Sequence, residues 1–354
     1  MVRGLVVVKE AFFAVPGDLA TPTGGYAYDR RILAELPALG WRTSVVELGD
    51  GFPYPSAQAR TTACARLSAL VRGRPIVIDG LAFGVLPEAA QALCASHSLV
   101  ALVHHPLALE SGLNATQSAS LRASERAALA CAGHVVATSA TVARLLVEDY
   151  GVPSGRVSVV EPGTDRVPTA LRHEADVVML LAIGSVIPRK GYDVLVAALA
   201  RLTHLPWRLV IAGDCERDPQ TVRQVNADIT RLGLAGRITL LGAVACDEVA
   251  PLYAAAHLFV LPSRFEGYGM AYTEAIAHGL PVVGTTAGAI PQTVPPSAGV
   301  LVPPDDVEAL AATLQQLISK PEERERLAAG ARAAAFPSWR QQAALFARML
   351  ENVG

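Results

Sequence analysis

The sequence predicts an α/β protein with two doubly wound parallel-sheet domains that face each other across a cleft. Short β-branched runs alternate with amphipathic helical segments, which is the pattern of parallel βαβ units. The pattern starts again near the middle of the chain, and 354 residues are too many for one ordinary α/β core. We therefore expect one domain over residues 1–168 and a second over residues 169–336.

The first domain is predicted from six apolar, β-branched runs with a helical segment after the first. The helix is expected over Tyr26–Leu39, where Ile32, Leu33, Leu36 and Leu39 share one face. The expected strands are Gly4–Val8, Thr43–Glu47, Ile76–Asp79, Leu99–Val103, His134–Ala137 and Val157–Val160.

A polar, weakly patterned segment at residues 166–175 predicts the linker between the domains. Six further runs after it predict the second sheet. They are Val177–Ile183, Arg208–Ala212, Ile238–Leu241, Leu258–Leu261, Pro281–Gly284 and Gly299–Leu301. Ligands of such sheets bind at the loops that follow the strands, so motifs at strand ends carry the most weight.

Composition excludes some classes of protein. The net charge is −2, with both signs interspersed in both halves, which argues against a nucleic-acid partner. We expect a cytoplasmic protein because no long apolar run and no signal sequence are evident; peripheral contact with the inner face of the membrane stays open. The cysteines form no Cys-x-x-Cys pair, so we expect reduced thiols, most of them small core residues. They are Cys64, Cys94, Cys131, Cys215 and Cys246.

The strongest functional motif runs from Glu266 to Glu274 and contains glycines at positions 267 and 269. The glycines allow a tight turn before a helix, which puts Glu266 on the approach loop and Glu274 inside the helix. Exposed N–H groups and the positive dipole end at the helix start suit an anion such as a nucleotide diphosphate. The alternative is an ordinary strand-turn-helix unit with two solvated glutamates.

This motif resembles the Glu-x7-Glu signature of glycosyltransferase family 4, a group of retaining, nucleotide-sugar-dependent enzymes with the GT-B fold. The resemblance covers essentially the whole chain. It implies that residues 337–354, which begin with Pro337-Ser338-Trp339, form a helix that crosses back to the first domain. It also implies a nucleotide-diphosphate sugar as donor, with a UDP-sugar favoured over a GDP-sugar.

In the first domain, the resemblance places Gly24 and Gly25 beside the donor diphosphate and sugar; a flexible loop with a capped helix is the alternative. His104 and His105 end the fourth strand, and a histidine there contacts the donor sugar in the family. Adjacent strand residues point to opposite sides, so only one of them should meet the cleft, and structural histidines remain the alternative. Asp79 and Glu110 are weaker candidates for acceptor contacts, with a simple Asp-Gly turn as the alternative for Asp79.

In the second domain, Arg189 and Lys190 follow the first strand, where two cations are suited to a leaving diphosphate. Many family members have an arginine where this chain has Ser185, so Lys190 is the safer assignment and the compensating role of Arg189 stays open. A solvated basic pair is the alternative. The resemblance also implies a set of residues that contact the donor, and for some of them a simple turn is the alternative. The set is Gly184, Ser185, Gly213, Ala243, Val244, Glu266, Gly267, Tyr268, Gly269, Met270, Ala271 and Glu274.

The expected chemistry needs no cofactor and no metal. No Asp-x-Asp ligand motif occurs, and the helix start with Arg189 and Lys190 would neutralise the leaving diphosphate. In retaining family members the departing phosphate oxygen takes the acceptor proton, so no protein nucleophile is required. Glu266 would accept sugar hydroxyls and Glu274 the ribose hydroxyls; Glu266 as a nucleophile is less favoured. The expected catalytic set is Glu266, Lys190, Arg189, His104 and His105.

The expected partners are the donor and an unidentified carbohydrate, lipid-linked or small-molecule acceptor. A sugar-nucleotide epimerase of the same build is one alternative, and a non-catalytic nucleotide-sugar-binding module is another, which the serine at position 185 would favour. A nicotinamide oxidoreductase is disfavoured because the chain lacks the Gly-x-Gly-x-x-Gly fingerprint.

Overall fold

The computed structural model describes residues 9–110, 112–167 and 176–353. Contacts divide the chain into two compact units. The first unit is discontinuous: it includes the chain up to Gly163 and again from Pro337 onward. The second unit runs from Thr164 to Phe336. The predicted linker falls mostly on residues 168–175, which lie outside the described residues.

The first unit contains, among its described residues, a six-stranded parallel sheet in the order β2-β1-β3-β4-β5-β6. Every residue of β3 and β4 is buried, as expected for strands covered on both faces. The predicted strand Gly4–Val8 lies outside the described residues. The strands are β1 (Lys9–Val15), β2 (Trp41–Glu47), β3 (Ile76–Asp79), β4 (Leu99–Val103), β5 (His134–Ala137) and β6 (Val157–Val159).

The first helix begins at Gly24, two residues before its predicted start, because the Thr23 side chain accepts the N–H of Tyr26 and caps it. It ends at Glu35, and Leu36–Leu39 forms a 3-10 turn instead of the predicted continuation. Pro37 accounts for the change, since it lacks the N–H that an α-helix needs. The helices of this part of the chain are α1 (Gly24–Glu35), α2 (Ala57–Ser68), α3 (Gly80–Phe83), α4 (Pro87–Leu93), α5 (Ala115–Ala130) and α6 (Ala140–Glu148).

The second unit holds another parallel sheet, six-stranded over its described residues, in the order β12-β11-β10-β7-β8-β9. Its strands are β7 (Val178–Ile183), β8 (Trp207–Ala212), β9 (Ile238–Gly242), β10 (Leu258–Val260), β11 (Val282–Thr285) and β12 (Gly299–Val302). Its helices are α7 (Tyr192–Ala200), α8 (Pro219–Arg231), α9 (Cys246–Ala255), α10 (Met270–Ala277), α11 (Ile290–Thr293), α12 (Val307–Ser319) and α13 (Pro321–Ala333).

Strand order reverses once in each sheet. In the second unit the chain moves outward from β7 through β8 to β9, then returns to place β10 on the other side of β7. In the first unit β1 lies between β2 and β3. Loops on either side of such a reversal separate and leave a crevice beyond the strand ends, which is where doubly wound sheets bind ligands.

The last helix, α14 (Trp339–Val353), packs within the first unit. Phe346 lies 6.0 Å from Phe13 of β1, and Trp339 lies edge-on to Tyr28 of α1 at 5.9 Å between ring centroids. Gly163 is required at the crossing, because a Cβ there would lie 2.3 Å from the backbone nitrogen of Trp339. These apolar contacts anchor the helix on the sheet of the first unit.

The thiols of Cys64, Cys94, Cys131 and Cys215 are free, as predicted. The expectation that most would be core residues was wrong for Cys94, which is exposed; Cys64, Cys131 and Cys215 are half-buried and pack against the hydrophobic cores. Throughout the part of the chain that the structure describes, every helix is too short or too polar to cross a bilayer.

Candidate functional site

The second unit's site is built on the loop from β10 into α10. Gly269 precedes the helix with φ +100°, a conformation that L side chains rarely adopt. A Cβ at Gly269 would also lie 2.7 Å from the Tyr272 ring, so only glycine fits. The turn leaves Glu266 on the loop and places Glu274 in the second turn of α10, as the sequence predicted.

Glu266 is the centre of a buried charge cluster. Its Oε1 accepts hydrogen bonds from Lys190 Nζ and Ser263 Oγ, both at 2.7 Å, and its Oε2 accepts one from Arg189 Nη1 at 3.1 Å. Only 9% of the Glu266 side chain is exposed, against 11% for Arg189 and 14% for Lys190. The predicted basic pair is therefore not solvated, which rules out that alternative.

The charge state of Glu266 follows from these contacts. Burial alone would raise the pKa of its carboxyl, but the charges of Lys190 and Arg189 and the hydrogen bonds outweigh burial and lower the pKa to about 2. Glu266 is an anion at neutral pH and is poorly suited to serve as a general acid. Lys190 and Arg189 thus bring two positive charges to this carboxylate.

The two basic residues are held by the turn after β7, next to the loop after β10. Gly191 has φ +69°, and a Cβ there would lie 2.1 Å from the Pro262 carbonyl oxygen, so glycine allows the two loops to touch. Gly184 lies under the Lys190 stem, where a Cβ would meet Lys190 Cε at 3.1 Å. Arg189 also donates to the carbonyl of Phe265 at 2.8 Å. Arg189 and Lys190 therefore lie where the strand order reverses, between β7 and β10.

Glu274 is held by a tyrosine that sequence reasoning missed. Tyr253 of α9 donates its hydroxyl proton to Glu274 Oε2 at 3.0 Å, and its ring stacks on His278 at 4.7 Å. Burial first, and then the Glu274 carboxylate, raise the pKa of Tyr253, so it stays a donor. Glu274 is half-buried, and one oxygen is oriented by this bond.

The remaining predicted donor residues surround these strand ends. Gly213 adjoins Gly184, because a Cβ at Gly213 would lie 2.0 Å from the Gly184 carbonyl oxygen. Ser185, Ala243 and Val244 are exposed or half-buried on the loops after β7 and β9. Arg189 is hydrogen-bonded to Phe265 and Glu266, and these bonds restrict it from taking the place of the arginine that many family members have at position 185. The other predicted residues are Gly267, Tyr268, Met270 and Ala271, which form the approach to α10 and its first turn.

The first unit has its own cluster at the reversal between β1 and β3. His104 Nε2 lies 3.4 Å from Asp29 Oδ1 of α1 and 3.4 Å from Asp79 Oδ2 at the end of β3. Gly25 makes room for the ring, because a Cβ there would lie 3.2 Å from His104 Cδ2. Gly24 has open space at the same position. Asp79 also caps α3 by accepting the N–H of Leu81 at 2.7 Å.

His104 and His105 have different partners, as their adjacent positions predict. His105 Nε2 lies 3.4 Å from Glu110 Oε2, and both side chains are partly exposed. By distance alone, one group of three described side chains could hold a metal ion: the ligand atoms of Asp29, Asp79 and His104 lie within 4.8 Å of one another. A cation or a proton would serve to balance the two carboxylates there.

Sequence reasoning missed Ser263, Tyr253 and Asp29. Asp29 could have been found, because it follows Gly25 by four residues and so lies on the same face of α1. Ser263 stands three residues before Glu266, but nothing local indicates that it donates to that carboxylate. Tyr253 contacts Glu274 across two helices, which no spacing rule reveals.

Two family models match the chain. The family model "Glycosyltransferase Family 4" matches residues 28–167, and the model "Glycosyl transferases group 1" matches residues 178–320. D-inositol 3-phosphate glycosyltransferase 1 of Catenulispora acidiphila is 35% identical over 232 residues, 59% of this chain and 54% of the relative. Mannosylfructose-phosphate synthase of Agrobacterium fabrum is 30% identical over 54% of this chain and 46% of the relative. The chain thus spans about half the length of the curated relatives it matches.

Solved structures share the fold over nearly the whole chain. Sucrose-phosphate synthase from Thermosynechococcus elongatus has a TM-score of 0.82 at 21% identity and covers 98% of this chain and 99% of its own. HepE of Anabaena, in complex with UDP and glucose, has a TM-score of 0.76 at 19% identity and covers 97% and 99%. The two sheets and their neighbours define the GT-B class of two-unit α/β proteins, as predicted. The chain belongs to the glycosyltransferases of family 4.

Proposed function

We propose that the protein is a retaining glycosyltransferase that moves a sugar from a nucleotide-diphosphate sugar to an acceptor hydroxyl. The observation that carries the proposal is the Glu266 cluster with Arg189 and Lys190 beside the start of α10. It combines two cations, helix N–H groups and an oriented carboxylate within one unit, which suits a ligand with a diphosphate and hydroxyl groups.

The donor diphosphate would lie at the start of α10, where the helix dipole and the two cations stabilise negative charge. That charge grows as the sugar–phosphate bond breaks, so Lys190 acts most strongly in the transition state. The diphosphate and Glu266 are both anions and compete for Lys190. A donor that draws Lys190 away frees Glu266 Oε1 to accept a hydroxyl of the transferred sugar.

Glu274 would accept the two ribose hydroxyls of the donor nucleotide. Its oxygen that faces Tyr253 is already oriented, so less freedom is lost on binding. The backbone of Ala243 and Val244 would contact the base, and Gly184, Ser185 and Gly213 the phosphates. A UDP-sugar is favoured as donor; the HepE structure holds UDP, whereas one relative of this chain is named as GDP-mannose-dependent.

Proton transfer needs no protein base in this proposal. The leaving phosphate oxygen takes the proton of the acceptor hydroxyl while that hydroxyl attacks the same face of the sugar. No metal is required, because Lys190, Arg189 and the helix start neutralise the diphosphate. Acceptors include carbohydrates and sugar or cyclitol phosphates, since relatives are named for D-inositol 3-phosphate and for sugar phosphates. A cytoplasmic location with peripheral membrane contact stays a prediction.

The test is a thermal-shift panel followed by a consumption assay. Nucleotide diphosphates and their sugars are added singly, and a ligand at 100 times its Kd is expected to add about 2.7 kcal/mol of stability. The stabilising donor is then incubated with and without a panel of acceptors. Donor consumption only with an acceptor supports transfer, donor isomerisation without one indicates an epimerase, and binding without turnover indicates a binding module. No stabilising nucleotide contradicts the proposal.

A further inference from the structure

The buried group of Asp29, Asp79 and His104 in the first unit contains two carboxylates whose negative charge its own hydrogen bonds do not compensate. Asp29 is fully buried and Asp79 is 2% exposed. Neither Asp29 oxygen accepts a normal hydrogen bond from any described residue; Oδ1 lies 3.4 Å from His104 Nε2, and burial first, then the nearby Asp79 carboxylate, raise the pKa of Asp29. A buried carboxylate without compensation is strongly disfavoured. The group therefore needs a positive charge.

A neutral imidazole cannot supply that charge. With its proton at Nε2 it would still leave two buried anions beside it. An imidazolium balances the charge of one of the two anions and keeps an N–H at Nδ1 that neither aspartate uses. Burial lowers the pKa of His104, but the hydrogen bonds and charges of the two aspartates outweigh it and raise the pKa to about 10. For the Asp29 carboxyl, by contrast, burial is the largest effect and raises the pKa to about 6.

No other described charge faces the His104 ring. From α1, Tyr28 meets the ring edge-on at 5.3 Å and donates its hydroxyl to the Val160 carbonyl, and it stays neutral because burial raises its pKa. Thr138, which directly follows β5, donates its hydroxyl to the backbone carbonyl of His104 at 3.1 Å. His105, the residue after His104, is paired with Glu110. The two aspartates thus determine the state of the ring.

The His104 side chain is not fully covered. Nε2 is buried, and Gly25 lies against the Cδ2 side, while 21% of the side chain is exposed. The exposed part therefore lies away from Nε2 and Cδ2. A ring fixed at Nε2 by two carboxylates can present Nδ1 in only one direction.

We propose that Asp29 is a positioning residue that, with Asp79, holds His104 as an imidazolium and leaves its Nδ1–H to donate to an oxygen of a bound ligand. The identity of the ligand rests on the proposed function; the state of His104 does not. An imidazolium donates and cannot accept, so the bound group must be a phosphate oxygen or a hydroxyl oxygen.

The first experiment observes His104 directly in the ligand-free protein. The ¹⁵N shifts of its ring nitrogens are followed from pH 5 to 10 in wild type and in Asp29→Asn, which keeps the size of the side chain. We expect an imidazolium through pH 8 in wild type and a titration midpoint about two pH units lower in Asp29→Asn. Asp79→Asn should lower the midpoint in the same way, and it serves if Asp29→Asn does not fold. Glu35→Gln, in the last turn of α1, is the matched control and should change nothing.

The second experiment separates a positioning role from a merely structural one. Affinity is measured by calorimetry at pH 5.5 and pH 9, with the stabilising nucleotide sugar as probe. Asp29→Asn should bind like wild type at pH 5.5, where its His104 is protonated, and about tenfold more weakly at pH 9, where only about one tenth of its His104 is protonated. Equal weakening at both pH values would indicate only structural damage.

Three results would overturn the proposal. His104 could be neutral at pH 7 in wild type, its midpoint could be unchanged in Asp29→Asn, or elemental analysis could find a stoichiometric metal ion bound to a neutral ring. If the imidazolium is found but no nucleotide binds, the state of His104 stands and the proposed function fails.

Discussion

Lys190 Nζ lies 2.7 Å from Glu266 Oε1, although the two residues are 76 positions apart in the chain. The contact joins the loop after β7 to the loop after β10, the two strands between which the strand order reverses. A diphosphate carries more negative charge than the Glu266 carboxylate and can therefore compete with it for Lys190. The predictions below follow from this pair and from the groups that hold it.

Lys190→Ala should lower turnover by about a hundredfold or more while donor affinity falls by less than about tenfold, because the lysine acts mainly on charge that develops as the diphosphate leaves. Steady-state and calorimetric measurements give the two values. Lys320→Ala removes an exposed lysine and is the control. Equal losses in affinity and turnover would assign Lys190 to binding alone.

The same substitution should destabilise the fold by roughly 3 kcal/mol, because it leaves Glu266 buried with one partner fewer. Urea unfolding at pH 7 measures this change. Lys190→Ala combined with Glu266→Gln should recover part of the loss, since the double variant has no uncompensated anion. Additive losses in the double variant would show that the two side chains do not interact.

Stability should depend on pH through Glu266. Its pKa in the folded protein, about 2, is below the ordinary value of 4.5. A lowered pKa contributes stability above pH 4.5 that is lost as the pH falls from 4.5 toward 2, and the contribution is roughly 3 kcal/mol. Glu266→Gln should therefore be less stable than wild type at pH 7 and lose less stability on acidification. Parallel pH profiles for the two proteins would exclude this account.

Glu274→Gln should weaken donor binding by about tenfold, because a neutral amide accepts ribose hydroxyls less strongly than a carboxylate. Tyr253→Phe removes the hydrogen bond that orients Glu274 and should have a smaller effect in the same direction. Glu322→Gln, on the exposed side of α13, is the control. Unchanged affinity in both site variants would remove Glu274 from the donor site.

Activity should persist in excess chelator, because the proposed site neutralises the diphosphate with Lys190, Arg189 and the start of α10. The measurement compares initial rates in EDTA with rates in magnesium or manganese. Activity that is abolished by EDTA and restored by either ion would refute the metal-free mechanism.

Much of the fold could be predicted because its signals are local. Continuous apolar runs gave β3, β4 and β5 with the same ends as in the structure. The first helix was predicted too long at its C-terminal end, since amphipathic spacing continues past Pro37 although an α-helix cannot. The glycines at 267 and 269 correctly placed the start of α10.

The contacts inside the site could not be predicted in the same way. Sequence spacing brought Arg189 and Lys190 to a strand end, but their bonds to Glu266 depend on which strands are neighbours in the sheet. Likewise, His104 was chosen from its place after β4, whereas Asp29 and Asp79 reach it from elements that only the tertiary fold brings together. Such pairings are set by topology rather than by local pattern.

The most direct test of the central claim is a ¹H NMR time course of the anomeric proton, in EDTA, with the stabilising nucleotide sugar and an acceptor panel that includes D-inositol 3-phosphate. The account predicts that the donor signal decays only with an acceptor, that one equivalent of nucleoside diphosphate is released, and that the product keeps the donor's anomeric configuration. Lys190→Ala should show almost none of this change. An inverted product, or no transfer from any donor by the folded wild-type protein, would contradict it.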